Sequence, residues 1–219
     1  MKLLHIKKSH VIWLVGLRPK TKPAPRAYLI DLIAKRYSFV GFPTNIQELG
    51  DEVVFQDGQY DGLAIDKLSL FPDGLVAEST GNTKDVDAFL DDAVAWATAE
   101  LGYEVISTPG VRQTITKTYS TTLEAHLELD LERWLSQLSP VTELLNSLMK
   151  GSAPAPYRPA GIYFNYDDTL NKPVSTGTFK LERKIAKRFD PNVYLSIAPL
   201  TTDDHVKFLE SLEQTSRRK

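Results

Sequence analysis

Glu124, His126 and Glu128 alternate with Leu123, Ala125, Leu127, Leu129 and Leu131. On an extended strand a period of two turns the three polar side chains the same way, with neighbours about 7 Å apart. A histidine flanked by carboxylates is a ligand set for a divalent cation. The same pattern is also what an ordinary solvated strand face looks like, since acidic side chains belong on the outer side of an amphipathic strand. In either case the face is acidic and suits a basic partner.

A second constellation lies further on. Asp168 ends one predicted strand, and Glu182 and Lys184 fall in another, separated by Arg183. This resembles the metal-dependent nuclease pattern PD-(D/E)xK, which implies carboxylates holding Mg²⁺ and a lysine that orients or activates a water. No proline precedes the Asp167-Asp168 pair, and strands and helices alternate differently in that family. The competing reading is a strand with exposed charges. A third set is basic: Lys180, Arg183, Lys184, Lys187 and Arg188, with Tyr163, Phe164, Tyr166 and Phe179 nearby. Cations beside stacking rings are what single-stranded nucleic-acid binding uses. Lysines on an edge strand also discourage edge-to-edge pairing, and the alternation of Phe179 and Leu181 agrees with that role.

Other chemistries find no foothold. The chain has no cysteine, which removes disulfides, thiolate metal sites and a cysteine nucleophile. It has no Gly-x-Ser-x-Gly elbow, no phosphate-cradling glycine loop and no His-Glu-x-x-His. His5, His10 and His205 are far apart and read as surface or helix-end residues. Asp85, Asp87, Asp91 and Asp92 follow the polar face of one helix. The net charge of −2 opposes wholesale polyanion binding. With 42% hydrophobic and 25% charged residues, the composition is that of a soluble globular protein. The apolar run 11–15 is too short for a bilayer, which needs about 20 residues. Arg18-Pro19-Lys20, just beyond it, is no cleavage site for a secretory signal. No membrane association is expected, and a cytoplasmic location is.

Certain elements must position these residues. Residues 11–17 read as a central strand, 18–25 as a proline-rich loop, and a helix starts near Pro25 or Arg26. Residues 52–56 read as a short strand and Asp57-Gly58 as a turn. Residues 63–71 and 75–79 form a hairpin around Pro72-Asp73-Gly74. The strongest helix comes next: Val86, Phe89, Leu90, Ala93, Val94, Ala97 and Leu101 keep helical spacing. Asn82 or Thr83 caps its start, and Gly102 ends it. Residues 114–131 read as strand, and Val141, Leu144, Leu145 and Leu148 as a helix opened by Ser139-Pro140. Residues 151–161 are the best linker candidate. Strands are expected at 162–166, 178–185 and 193–198, and a last helix at about 203–214.

The turn 71–75 is echoed at 189–193, and each is succeeded by a threonine-led helix start, at Thr83 and Thr202. The fold class is therefore α+β. It reads as a mainly antiparallel curved sheet with helices on one face, organised as two related β-α-β-β-(β)-α halves, 1–110 and 111–219, or as one continuous domain. The favoured function is non-catalytic: a protein-interaction or accessory protein acting on a protein partner or by self-association, with no cofactor. The alternatives are a Mg²⁺-dependent nuclease using Asp168, Glu182 and Lys184, and a nucleic-acid-binding module.

Overall fold

The computed structural model describes residues 1–22, 24–44, 50–106, 115–149, 156–165, 177–184 and 192–217. Among these residues the chain is α+β. In chain order come β1 (Lys2–Pro19), α1 (Arg26–Arg36), β2 (Val53–Tyr60), β3 (Leu63–Phe71), β4 (Gly74–Ser79) and α2 (Thr83–Ala99). Next are β5 (Tyr103–Ile106), β6 (Ile115–His126), α3 (Leu131–Trp134), a 3-10 turn (Ser136–Leu138) and α4 (Ser139–Leu148). The last elements are β7 (Gly161–Phe164), β8 (Phe179–Arg183), β9 (Val193–Ala198) and α5 (Thr202–Arg217). The strands pair antiparallel in an open sheet: β2-β3-β4-β1 in that order, with β5 paired to the C-terminal part of β1, and β7-β8-β9 in that order.

The chain divides into two compact units. One comprises Ile6–Thr121 and Pro199–Thr202; the other comprises Met1–His5, Thr122–Ala198 and Asp203–Lys219.

In the first unit, β1 alternates from Val11 onward, so Val11, Trp13 and Val15 are buried on one side. They share a core with Phe55, Leu68, Leu75 and Ala77 from the neighbouring strands. Ile30 and Ala34 of α1 and Val86, Phe89, Leu90 and Val94 of α2 complete it. The Asn82 side chain accepts from the Lys84 N–H at 2.8 Å, so α2 starts where its sequence predicts; it ends at Ala99, before Leu101, and Gly102 takes φ +71° two residues beyond the C-cap Glu100. The β3–β4 hairpin also forms as predicted, with Phe71 opposite Gly74 and a two-residue Pro72-Asp73 connection.

Two turn signals are resolved differently. Asp57-Gly58 lies inside β2, and the chain reverses at Asp61-Gly62, where both residues have positive φ and Tyr60 faces Leu63. That is the primed two-residue geometry that matches strand twist. Gly58 has another purpose: a Cβ there would sit 2.3 Å from the Phe39 ring, so only glycine lets that buried ring lie against the strand. With only four residues, β5 gives too short a pattern to be recognised in the sequence. It is held by pairing to residues 16–19, which draws β1 through Arg18 and Pro19, past the expected loop start.

In the second unit, Leu123, Ala125, Leu127, Leu129 and Leu131 are all buried, as the alternation requires. The strand itself ends at His126. Leu131 opens α3 instead, because the Asp130 carboxylate caps that helix by accepting from the Arg133 N–H. Leu181, Tyr194, Ala198 and Leu209 are buried here too, and the Tyr194 hydroxyl donates to the Leu129 carbonyl at 2.7 Å. Residues 189–191 of the echoed turn 189–193 and 151–155 of the linker candidate 151–161 lie outside the described residues; of the rest of that candidate, 156–160 form no helix or strand and Gly161 opens β7.

Candidate functional site

The two metal-type constellations read from the sequence meet at one ion pair. Lys184, just past β8, donates to Glu124 of β6 at 2.6 Å. Glu124 is buried although it stands on the polar side of its strand. The acidic face expected here is therefore only partly exposed. A buried carboxylate needs a partner with good geometry, and the lysine supplies it. His126 is half-buried, and Glu128 is exposed and paired with Arg217. Among the described residues, no three His, Asp or Glu side chains converge closely enough to hold a metal ion.

Asp168 lies outside the described residues. Glu182 sits on β8 between Gly161 and Leu195 of the flanking strands and pairs with Lys180 at 2.9 Å. Of the other basic residues, Arg183 donates to Asn192 Oδ1 at 3.0 Å and stacks over the Tyr194 ring at 5.3 Å. Lys187, Arg188 and Tyr166 lie outside the described residues. The described cations of this segment are thus engaged with groups of their own unit. The nearby aromatics divide. Phe179 stacks with Phe164 at 5.8 Å and meets Phe208 edge-on at 4.9 Å, while Tyr163 is exposed.

Sequence reasoning passed over three polar clusters. In the first unit, Asp87 accepts from Trp13 Nε1 at 2.7 Å and from the Tyr119 hydroxyl at 2.8 Å. Lys117 lies 3.5 Å from the same carboxylate and 4.0 Å above the Trp13 ring. Burial, with Asp87 next in importance, pushes the Tyr119 hydroxyl well above its ordinary value. Asp92 accepts from the Tyr37 hydroxyl at 2.7 Å and from Arg36 Nη2 at 3.0 Å on both oxygens. Arg36 also covers the Trp96 ring at 5.0 Å. Two carboxylates of a helix face read as solvated are therefore anchors of the unit's interior. In the second unit, His205 occupies the first turn of α5, a helix end as expected. It is fully buried, with Nε2 2.8 Å from the Ser196 hydroxyl. Burial lowers its pKa from 6.5 to about 4, so the ring is neutral at pH 7. Ser196 is as buried as its partner, so this pair is structural and not an accessible nucleophile.

No protein-family model matches this chain, and no match was found among curated proteins or solved structures.

The remaining feature is apolar. Of the large apolar side chains exposed among the described residues, Tyr28, Val40 and Phe71 belong to the first unit and all others to the second. The densest group is on α4. Val141, Leu144 and Leu148 are 62%, 60% and 65% exposed, and none of the helix's residues is buried. Their spacing is legible in the sequence. That it faces outward is not, because the same spacing in α2 builds a core. No helix among the described residues is long and apolar enough to cross a membrane.

Proposed function

We propose that this protein acts through protein–protein contacts rather than catalysis, and that α4 in the second unit carries the contact surface. One observation supports this above all: a ten-residue helix with an apolar stripe buries none of its own residues. Grouped exposed apolar side chains on a globular unit mark interaction sites. The candidate catalytic side chains favour the same reading, since Lys184 is engaged by Glu124 and Glu182 by Lys180. A cytoplasmic location goes with this reading, a chain without cysteine being suited to a reducing compartment.

The test is a double substitution, Leu144→Asp with Leu148→Asp. The wild-type chain, purified from its native host beside a differently tagged copy of itself, should retain a partner that the double variant loses. The variant's far-UV circular dichroism should show the same fold. An unchanged set of co-purifying proteins would overturn the proposal.

A second reading, single-stranded nucleic-acid binding, draws on Tyr163, which is exposed directly opposite Lys180 in the β7–β8 ladder. A ring beside a cation suits base stacking. It predicts salt-dependent oligonucleotide binding that weakens in Tyr163→Ala.

A further inference from the structure

We propose that the partner of α4 is the same helix in a second copy of this chain. The inference rests on the interaction reading above and commits it to one occupant. On α4, Val141, Leu145 and Leu148 succeed one another at steps of four and three residues, and Leu138, the last residue of the 3-10 turn before the helix, stands three residues ahead. That is the seam spacing of paired helices, in which each apolar side chain enters a hole in the facing helix. All four are exposed. Leu144 and Met149, also exposed, widen the seam on either side.

Charge selects among the occupants such a seam could take. In paired helices, charged residues flanking the seam choose the partner and reject others. From Ser136 to Met149 the only charged residue is Glu143. It falls on the outer side of the helix, opposite the seam. The flanking positions on α4 hold Thr142 and Leu144, with Gln137 and Met149 just outside its ends, so nothing repels an identical helix and nothing is provided to recognise a charged one. A lipid surface fits less well. Helices that lie in a membrane interface carry Lys or Arg on the polar face, and this stretch has neither.

Length points to a need for a partner. Isolated helices shorter than about 12–15 residues are marginal in water, and α4 has ten. It is tethered through Asn146, whose side chain accepts from the Tyr157 N–H at 2.7 Å and donates to the Tyr157 carbonyl at 3.4 Å. Asn146 stands off the seam, so the tether leaves the stripe facing outward. A two-fold pairing of seams would let each α4 bury the apolar face of the other.

The experiment is sedimentation velocity on the full chain over a hundredfold concentration range. The expected result is a concentration-dependent monomer–dimer equilibrium. Leu145→Asp and Leu148→Ser should each weaken it at least tenfold, and Glu143→Lys, on the outer side, should leave it unchanged. The last variant separates loss of the seam from loss of the fold. A wild-type chain that stays monomeric throughout, or a dimer indifferent to Leu145→Asp, overturns the proposal. The two levels of failure are distinguishable. If the chain is monomeric but Leu144→Asp/Leu148→Asp still loses a host protein, only the second copy is refuted. If that set is also unchanged, the interaction reading falls with it.

Discussion

Thr83 and Thr202, 119 residues apart, cap each other: the hydroxyl of each accepts the backbone N–H of the other at 3.0 Å. Each is the first residue of a helix, α2 and α5 respectively. The first N–H groups of a helix have no partner within it. Asn82 takes the Lys84 N–H, so the Thr83 N–H needs another acceptor, and Thr202 provides it. Both threonines are buried, where an unmade hydrogen bond is expensive. Thr83→Val and Thr202→Val should therefore each cost about 1–3 kcal/mol in urea unfolding. Thr83→Ser, which keeps the oxygen, should cost less than Thr83→Val. Equal losses from serine and valine would show that packing, not the hydroxyl, is what matters.

Acid should weaken the fold through His205. Its folded pKa of about 4 lies below the ordinary 6.5 because burial disfavours the charged ring. Between those values the unfolded chain binds a proton that the folded chain does not. Stability is then full above about pH 6.5, falls as pH drops toward 4, and levels off below. The total loss is roughly 3 kcal/mol, from about 1.4 kcal/mol for each pKa unit. Urea midpoints at pH 7 and pH 4.5 measure it. In His205→Gln the pH dependence over this window should flatten; an unaltered slope would assign it to another group.

The Lys184–Glu124 and Lys180–Glu182 pairs should respond differently to mutation. Lys184→Met leaves a buried carboxylate without its lysine and should cost about 1–3 kcal/mol. Glu182→Gln breaks an exposed pair and should stay within about 0.5 kcal/mol. The same Glu182 variant examines the nuclease alternative. Mg²⁺-dependent DNA cleavage by the wild type that disappears in Glu182→Gln would refute a purely non-catalytic role.

Gly58→Ala should be destabilising despite lying in a strand, where alanine is ordinarily tolerated. The new methyl group would meet the Phe39 ring at 2.3 Å, and overpacking of this kind costs about 1–3 kcal/mol. Pairing it with Phe39→Leu should recover part of the loss. A thermal melt in which Gly58→Ala matches the wild type would show that the ring has room to move.

What could be read in advance was what neighbours in the chain decide. For α2, the spacing and the cap lie within about twenty residues, and the helix starts where they place it, although it ends at Ala99, before the expected Leu101 and Gly102. The Pro72-Asp73 connection and the buried alternation from Leu123 to Leu131 are of the same kind. Asp57-Gly58 misled because two Asp-Gly pairs stand four residues apart and each has turn chemistry. Pairing of β2 with β3 and the Phe39 ring decide between them, and neither lies within the local window. Asp87 and Asp92 were legible only as polar residues on a helix. Their donors, Trp13, Tyr119, Arg36 and Tyr37, come from other elements.

By itself, then, the sequence determined the α+β class, most of the elements and which face of each prefers apolar surroundings, because these depend on contacts a few residues apart. Tertiary structure alone decided the partners of the charges, as in Glu124 with Lys184, and the meeting of Thr83 with Thr202. It also decided the fates of two similar stripes: that of α2 is buried and that of α4 is exposed. The physical reason is that helical periodicity records a preference for apolar contact. Whether the chain supplies that contact itself or leaves it to another molecule depends on what the rest of the fold brings alongside.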